Sequence, residues 1–295
     1  MKLDALRAFC AVVEAGSFRG AAVRLHRSQP AVSQQVKALE DELGHAFLER
    51  KGCRLTPAGE RLYERARHIL TETVNLTREL DDFDEQHASE LRVGTSDTTT
   101  LYVLPPVVKA FSTVVPPTRL VITNRPSDVV AERVREGELD LGIVTLPVSH
   151  AELEEQDLFR QFLVLVTPRD HPLGGRSEVE LDELRGEPLL LLDAQTRTGA
   201  LLQAFFRERG FEPQPILDSG SFEVIKRYVA AGIGVSFLPR IVVTKADENL
   251  STVKVPGLPS VRIGTIWRRH AYRSRSARMF LGLVSAYHNA KTNVE

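Results

Sequence analysis

Five side chains that can meet the edges of nucleic-acid bases recur along one side of a predicted helix near the N-terminus. They are Gln29, Pro30, Ser33, Gln34 and Lys37. Amide and hydroxyl groups form hydrogen bonds with base edges, and a proline ring offers an apolar contact to the methyl group of thymine. The lysine and the free N–H groups at the start of the helix suit phosphate oxygens. The same pattern also fits an ordinary solvated helix face, so the residue types alone leave both interpretations open.

Three short helices are predicted around this surface. In the first, apolar residues recur at helical spacing, namely Leu3, Leu6, Phe9, Cys10 and Val13. Gly16 ends it, Ser17 caps a second helix, and the adjacent Ala21 and Ala22 allow a close helix crossing. Ser28 caps the third helix, whose inward positions are Val32, Val36, Leu39 and Leu43. Two helices joined by a short turn, with small residues where they cross, indicate a helix-turn-helix.

A basic hairpin is predicted shortly after the third helix. The segment 47–56 reads as two short strands with Gly52 in the turn. Arg50, Lys51 and Arg54 give it three positive charges. Such a wing can straddle the DNA backbone or enter the minor groove, where arginine is favoured. The alternative interpretation is a solvated basic loop.

A long helix is predicted from Pro57 to about Gln86, because there is neither proline nor glycine between Gly59 and Gln86. Two series of residues repeat every seven positions along it, namely Leu62, Ile69, Leu76 and Phe83, and then Ala66, Thr73 and Leu80. Three such repeats indicate a coiled-coil seam, and a two-fold dimer would present two recognition helices to successive major grooves. The alternative is one amphipathic helix that packs on its own domain.

Strands and helices alternate from Leu91 onwards, which favours parallel sheets covered by helices. The predicted strands are 91–95, 119–123, 139–145, 161–167, 188–192, 215–217, 233–238 and 261–267. The predicted helices are 101–114 (broken near Pro105 and Pro106), 127–135, 198–209, 221–231 and 274–290. Two successive sets of these elements predict two lobes, with the last strand and helix returning to the first lobe.

Hydroxyl side chains follow several of these strands. They are Ser96, Thr98, Thr99, Thr145, Thr196 and Thr198. Open α/β sheets bind ligands beyond the carboxyl ends of their strands, and hydroxyls beside free helix N–H groups suit a small polar or anionic molecule. For each residue, simple helix capping is the alternative. Arg125 and Arg197 would either neutralise a bound anion or remain solvated.

Charge is distributed unevenly along a chain whose net charge is only −1. Residues 1–59 carry nine Lys or Arg and six Asp or Glu, a local net charge of +3. Residues 60–87 carry four basic and eight acidic residues, a net charge of −4. The contrast favours contact between DNA and the first segment rather than the second.

Two cysteines are too few for a disulfide framework, and no metal-ligand spacing is present. Cys10 is expected in the core, and Cys53 is more simply an inert surface thiol than a redox sensor.

We find no phosphate-cradling loop and no nucleophile elbow, so we expect neither a cofactor nor catalysis. An N-terminus with charges and the absence of an 18-residue apolar run predict a cytoplasmic protein without a membrane partner. The alternative to a protein that acts mainly on DNA is a cytoplasmic small-molecule-binding protein, or an enzyme, with an accessory DNA-binding module.

Several motifs of the first sixty residues follow one another in an ungapped order. They are Phe18–Leu25, Ser28–Val36 and Leu55–Gly59, with Leu39-Glu40, Leu43-Gly44 and Arg50 between them. This pattern resembles the LysR-type transcriptional regulators, although Phe47-Leu48 stands where the family usually has Leu-Phe. The resemblance implies base contacts by Gln29, Pro30 and Ser33 and backbone contacts by Ser17, Lys37, Arg50 and Arg54. Arg19 and Gln34 complete the predicted DNA-binding set.

Three later segments, Leu91–Gly94, Gly137–Thr145 and Val229–Pro239, are similar to the effector domain of the same family. That domain is a two-lobed fold akin to periplasmic binding proteins. The resemblance implies an effector between the lobes, touched by Ser96, Thr98, Thr99, Thr145, Thr196 and Thr198. The hydroxyl pattern is also similar to that of members in sulfur metabolism that sense small anions.

The predicted fold class is therefore α+β and multidomain. We expect a winged helix-turn-helix at 1–59, a dimerising linker helix at 60–88 and a two-lobed α/β effector-binding domain at 89–295. Lobe 1 would hold about 89–163 and 268–295, and lobe 2 about 164–267. The expected function is transcription regulation at a pseudo-palindromic DNA site under effector control. By resemblance, the protein forms a homodimer that pairs into a homotetramer, with RNA polymerase as a further partner.

Overall fold

A computed structural model of the chain describes residues 1–49, 53–81, 90–114, 118–269 and 271–292. Contacts between residues divide the chain into two compact units, Met1–Asp84 and Glu85–Glu295. Each unit encloses apolar side chains of its own. None of the helices over the described residues is long and apolar enough to cross a lipid bilayer.

The first unit is built from four helices. They are α1 Leu3–Ala15, α2 Phe18–Arg24, α3 Gln29–Leu43 and α4 Pro57–Asp81. Hydroxyl groups cap three of them: Ser17 accepts a hydrogen bond from the Gly20 N–H at 3.0 Å, Ser28 accepts one from Ala31, and Thr56 accepts one from Gly59. Each cap satisfies a backbone donor that the helix itself leaves unpaired, and so sets where the helix begins.

The inner face of α3 packs on α1. Val32 and Leu39 of α3 are fully buried, as are Leu6 and Phe9 of α1. The Phe9 ring also contacts the Phe47 ring beyond α3, with centroids 5.8 Å apart. This packing confirms the predicted helix-turn-helix and determines which side of α3 faces outwards.

A short antiparallel bridge between Leu48 and Leu55 forms the base of the predicted wing. The Glu49 N–H donates to the Arg54 carbonyl at 2.9 Å. The Glu40 carboxylate of α3 accepts hydrogen bonds from the Phe47 N–H at 2.8 Å and from the Leu48 N–H at 3.3 Å. Through Glu40, the wing is therefore anchored directly to the recognition helix.

The long helix α4 divides its apolar residues between two tasks. Ala66 is fully buried in the core of the first unit, and Leu62 packs against that core. Leu76 and Leu80, by contrast, are 58% and 60% exposed, and Ile69 is 37% exposed. The first part of the predicted heptad seam thus belongs to the helix's own domain, and the remainder is available to a partner. Phe83 lies outside the described residues.

The second unit contains nine strands and six α-helices over its described residues. The strands are β1 Glu90–Thr95, β2 Arg119–Asn124, β3 Leu141–Thr145, β4 Leu153–Pro168, β5 Leu189–Leu192, β6 Pro215–Ser219, β7 Val235–Pro239, β8 Leu250–Val253 and β9 Ser260–Arg268. The helices are α5 Asp97–Tyr102, α6 Leu104–Val114, α7 Ser127–Arg135, α8 Arg197–Glu208, α9 Phe222–Ala230 and α10 Arg275–Thr292, with 3-10 turns at Leu181–Leu184 and Arg240–Val242.

One long strand joins two lobes in this unit. The strand order is β2-β1-β3-β9-β4-β7-β5-β6, and β8 also pairs with β4. The first part of β4, residues 153–162, pairs with β9, whereas residues 163–168 pair with β7 and β8. β4 therefore lies in the sheets of both lobes, as the two-lobed prediction requires.

The sheets are mixed rather than parallel, which corrects the expectation from the alternating pattern. β1 runs parallel to β2 and β3, and β5 runs parallel to β6 and β7. β4 and β9, which connect the lobes, are antiparallel to their neighbours. β4 leaves lobe 1 for lobe 2 and β9 returns to lobe 1, so each runs opposite in direction to the strands beside it.

Four further details differ from the sequence-based prediction. β4 begins at Leu153 rather than near Gln161, and β8 has no counterpart among the predicted strands. The predicted helix 101–114 is two helices, which separate at Val103, and the two prolines lie in the first turn of α6, where a missing N–H costs little. β9 pairs with β3 of lobe 1, so the return to lobe 1 begins earlier along the chain than residue 268.

Candidate DNA-binding surface and effector cleft

The outer face of α3 is polar and exposed to solvent. Gln29, Pro30, Ser33, Gln34 and Lys37 are all exposed, in contrast to the buried Val32, Val36 and Leu39 on the opposite face. The face combines amides, a hydroxyl and one cation on a helix of fifteen residues. It therefore offers hydrogen bonds to base edges and one charge to phosphate.

The predicted backbone contacts surround this face. Arg19 at the start of α2 is exposed, and so is Arg54 at the base of the wing. Ser17 is only half-buried, and its hydroxyl oxygen already accepts the Gly20 N–H as a helix cap. Its hydroxyl hydrogen can still be donated to a phosphate. Arg50 lies outside the described residues.

A cleft of about 200 Å³ lies between the two lobes of the second unit. It is bordered by the carboxyl-terminal ends of β1 and β3 in one lobe and of β5 and β6 in the other. Five of the six predicted effector residues line it, namely Ser96, Thr98, Thr145, Thr196 and Thr198. Thr99 does not, because its side chain is turned into the protein and only 1% exposed. Its hydroxyl lies 3.4 Å from that of Ser96.

The amino-terminal ends of four helices reach the cleft, those of α5, α7, α8 and α9. Ser96 and Ser221 occupy the cap positions of α5 and α9, yet neither side chain accepts a cap hydrogen bond. The first N–H groups of those two helices are therefore available to a ligand. Thr196 is different. Its hydroxyl accepts the Gly199 N–H at 3.0 Å and donates to the Asp193 carbonyl at 2.7 Å.

Gln161 of β4 contributes a polar side chain to the wall of the cleft and is absent from the predicted set. It is only 7% exposed, and its carboxamide nitrogen has no hydrogen-bond partner. A buried donor left unpaired costs free energy, so a ligand that brings a hydrogen-bond acceptor to this nitrogen would be favoured. The sequence carries a signal for it: Phe159, Gln161 and Leu163 alternate on the buried side of the strand, where a glutamine is out of place.

The two lobes are joined across the cleft by Arg197. Its Nε donates to the Asp128 carboxylate at 3.0 Å, and a terminal nitrogen of the guanidinium also bonds to that carboxylate. The other terminal nitrogen donates to the Pro147 carbonyl. Arg197 begins α8 of lobe 2, whereas Asp128 and Pro147 belong to lobe 1. We name this contact the arginine latch, and its charge is already balanced before any anion binds.

A second polar contact between the lobes lies at the other end of α5. The Tyr102 hydroxyl bonds to Glu223 of α9 and accepts a hydrogen bond from Lys226 at 2.7 Å. Burial and the contact with Glu223 raise the pKa of Tyr102. Burial disfavours the charge of Lys226, but its contacts with Tyr102 and Glu223 outweigh burial and raise its pKa. α5 and α9 both line the cleft, so this contact fixes their separation.

Neither thiols nor metal ligands are brought together in the described parts of the chain. No group of three or more His, Cys, Asp or Glu among the described residues could hold a metal ion. Cys10 is buried in the first unit, and burial raises the pKa of its thiol to about 12. Cys53, beside the wing, is half-buried.

Family models and curated relatives agree with this architecture. Residues 3–60 match the bacterial regulatory helix-turn-helix protein model of the lysR family, and residues 84–288 match the LysR substrate binding domain. A probable hydrogen peroxide-inducible genes activator of Streptomyces viridosporus is 34% identical over 92% of this chain and 89% of its own length. The HTH-type transcriptional regulator CysL of Bacillus subtilis is 31% identical over 83% of each chain.

Solved structures resemble the chain over nearly its whole length. A full-length OxyR variant from Pseudomonas aeruginosa has a TM-score of 0.73 and 27% identity, covering 98% of this chain and 95% of its own. Full-length CbnR complexed with its target DNA has a TM-score of 0.63 and 26% identity, covering 97% of this chain and all of its own.

An exposed polar recognition helix, a wing and a two-lobed ligand-binding fold define a ligand-controlled, DNA-binding transcriptional regulator. This chain belongs to the LysR family.

Removing the arginine latch should loosen the cleft. We expect Arg197→Gln to speed amide hydrogen exchange at the amino-terminal turns of α7 and α8, because the variant loses the ion pair to Asp128 and the guanidinium hydrogen bond to the Pro147 carbonyl. Arg262→Gln is the matched control, since Arg262 pairs with Asp157 at 2.9 and 2.6 Å between β9 and the first part of β4, within one lobe. Equal exchange at the cleft in both variants would show that the latch does not hold the lobes.

Proposed function

We propose that this chain reads DNA through α3, with bases contacted by Gln29, Pro30, Ser33 and Gln34. Ser17, Arg19, Lys37, Arg50 and Arg54 would hold the phosphate backbone. The observation that carries the proposal is the division of α3 into a buried apolar face and an exposed polar face. Because the buried face fixes the helix, its polar side chains present a defined pattern of donors and acceptors to the major groove.

The protein acts as a homodimer, and two dimers combine into a tetramer. The exposed Ile69, Leu76 and Leu80 of α4 supply an apolar surface that a second copy of the helix can cover. Two-fold symmetry would place two copies of α3 one helical turn of DNA apart and would favour a pseudo-palindromic site. A regulator bound beside a promoter, within the cytoplasm where bacterial DNA lies, would also be placed to contact RNA polymerase.

The interlobe cleft binds a small polar or anionic effector. Ser96, Thr98, Thr145 and Thr198 would contact it through hydroxyls, together with the uncapped N–H groups of α5 and α9 and the amide of Gln161. Thr196 would contribute mainly as the cap of α8, and Thr99 would support Ser96 from behind. A volume near 200 Å³ favours a compact molecule. Binding would bias the arrangement of the two lobes and so regulate transcription, without chemical conversion of the effector.

Signalling is by reversible binding rather than by oxidation of thiols in the effector domain. The chain has two cysteines, and both precede residue 60. The relative from Streptomyces is described as a probable activator of hydrogen peroxide-inducible genes, and that description concerns the relative alone. In this chain, hydroxyl and amide side chains are among those that line the cleft.

The dimer is tested by placing a charge on the exposed part of α4. We expect Leu76→Glu together with Leu80→Glu to yield monomers in sedimentation experiments, because each chain would bring two carboxylates into the seam, where they would be buried among like charges. Thr77→Glu is the control, since Thr77 is exposed on the same helix but off the heptad positions. A dimer that survives the double substitution would contradict pairing through α4.

The assignment of base and backbone contacts is tested by two substitutions with different signatures. We expect Ser33→Ala to relax base preference at one position of the site, costing roughly 1–3 kcal/mol of discrimination. Arg54→Ala should weaken binding to all duplexes and flatten the dependence of affinity on salt. Arg7→Ala, an exposed arginine of α1, controls for the change in net charge. Identical effects of Ser33→Ala and Arg54→Ala on a panel of duplexes would refute these roles.

The effector site is tested by thermal shift with sulfate, thiosulfate, phosphate and acetate as probes. A ligand that binds the folded cleft raises the apparent melting temperature by mass action. We expect at least one probe to stabilise the wild-type chain and to stabilise Thr98→Val less, since valine keeps the shape but removes the hydroxyl. Thr113→Val, exposed on α6, is the control. A shift that Thr98→Val leaves intact would place the probe elsewhere.

A further inference from the structure

Positive charge is concentrated in the last part of the second unit. Between residues 249 and 294 the chain has eight Lys or Arg and no Asp or Glu. Residues 88–248 have seventeen basic and twenty-four acidic residues, so the preceding part of the same unit is strongly negative. Such a separation creates a local field that the near-zero total charge of the chain conceals.

Much of this charge lies at the end of lobe 1 opposite the cleft. β9 starts at the cleft, which Ile263 lines, and its carboxyl-terminal end pairs with Leu153 at the start of β4. Arg269, Arg273 and Arg278 follow, and all three are exposed. We name these three residues the arginine edge. At about 3.3 Å per residue, it begins roughly 20 Å from Ile263 along the strand direction.

Two side chains of the arginine edge are held in place by aromatic rings. The guanidinium carbon of Arg273 lies 4.9 Å from the centroid of the Trp267 ring, and that of Arg278 lies 5.9 Å from the Tyr272 ring. The Trp267 indole N–H in turn donates to Glu154 at 2.8 Å. Stacking limits the freedom of a guanidinium while leaving its N–H edge accessible, so less entropy is lost when it binds an anion.

Neighbouring carboxylates are engaged elsewhere. Glu154 accepts the indole N–H, and Glu152 lies 3.7 Å from Arg135. Arg278 donates one N–H to the Arg273 carbonyl, which leaves its remaining donors for a ligand. In the described parts of the chain, no ion pair joins the arginine edge to a carboxylate. Three exposed guanidinium groups therefore remain able to bind an external anion.

We propose that the arginine edge binds the phosphate backbone of duplex DNA, away from the bases that α3 contacts. Guanidinium groups match phosphate oxygens in charge and geometry. β1, which begins at Glu90, starts at the same end of lobe 1 as the arginine edge. Because both DNA-binding surfaces belong to one chain, binding of DNA by the first unit raises its effective concentration near the second.

Through this contact, the effector domain would itself bind DNA. Binding at the cleft alters the lobes, and lobe 1 carries both half of the cleft and the arginine edge. Lobe 1 therefore links the effector cleft to a surface that binds phosphate. This inference rests on the proposed DNA binding by the first unit.

The test is the salt dependence of binding to a fluorescent mixed-sequence duplex, which reports phosphate contacts without requiring a known operator. We compare the full-length chain with Arg269→Gln, Arg273→Gln and Arg278→Gln combined. The slope of log affinity against log salt should fall by about 0.9 for each phosphate that the variant no longer neutralises. Affinity at low salt should drop roughly tenfold or more. The matching triple arginine-to-lysine variant should retain most of the slope, because it keeps the charge.

A control variant separates direct binding from net charge. Arg160, Arg207 and Arg227 are exposed arginines away from the arginine edge, and their combined change to glutamine removes the same charge. The proposal is overturned if the arginine-edge variant keeps the wild-type slope or if the control shows the same reduction. An unchanged slope together with reduced transcription in vitro would assign the surface to an acidic protein partner and would also overturn it. A wild-type chain that binds no duplex would instead refute the proposed function itself. Unaltered melting temperatures establish that the variants fold.

Discussion

The burial of one face of α3 is the constraint on which DNA recognition depends. Val32 and Leu39 are sealed against Leu6 and Phe9, so the helix cannot rotate about its axis without exposing apolar surface. Fully burying each such side chain contributes about 1.5–3 kcal/mol. The polar residues on the opposite face are thereby held in one orientation, and through Glu40 the same helix also positions the wing.

In the second unit, the corresponding constraint is the crossing of β4 and β9 between the lobes. Because both strands join the sheet of lobe 1, and β4 continues into that of lobe 2, the two sheets present their ligand-binding edges to one another. Four helix ends then meet around one small cleft. One cluster of buried apolar side chains runs through both lobes, whereas at the cleft itself the arginine latch and the Tyr102–Lys226 contact join them by polar bonds. Polar contacts at a cleft can be exchanged for contacts with a ligand, whereas a buried apolar interface would resist separation.

The charge distribution adds a third element to the design of the chain. Along the sequence, an acidic segment at 60–87 and an acidic stretch at 88–248 lie between two basic segments, residues 1–59 and 249–294. Like charges repel DNA from the acidic parts.

Local patterns were sufficient for the elements, the helix-turn-helix and most of the cleft residues. Helical spacing identified α1 to α3 because each helix buries one face, and hydroxyls after strands identified Ser96, Thr98 and Thr145 because strand ends converge in an α/β fold. What the sequence by itself could not decide are pairings between distant residues. The direction of β9, the commitment of Arg197 to Asp128 and the unpaired amide of Gln161 each depend on side chains many positions away. Only the folded chain brings such partners within bonding distance, so their roles were decided by the tertiary structure.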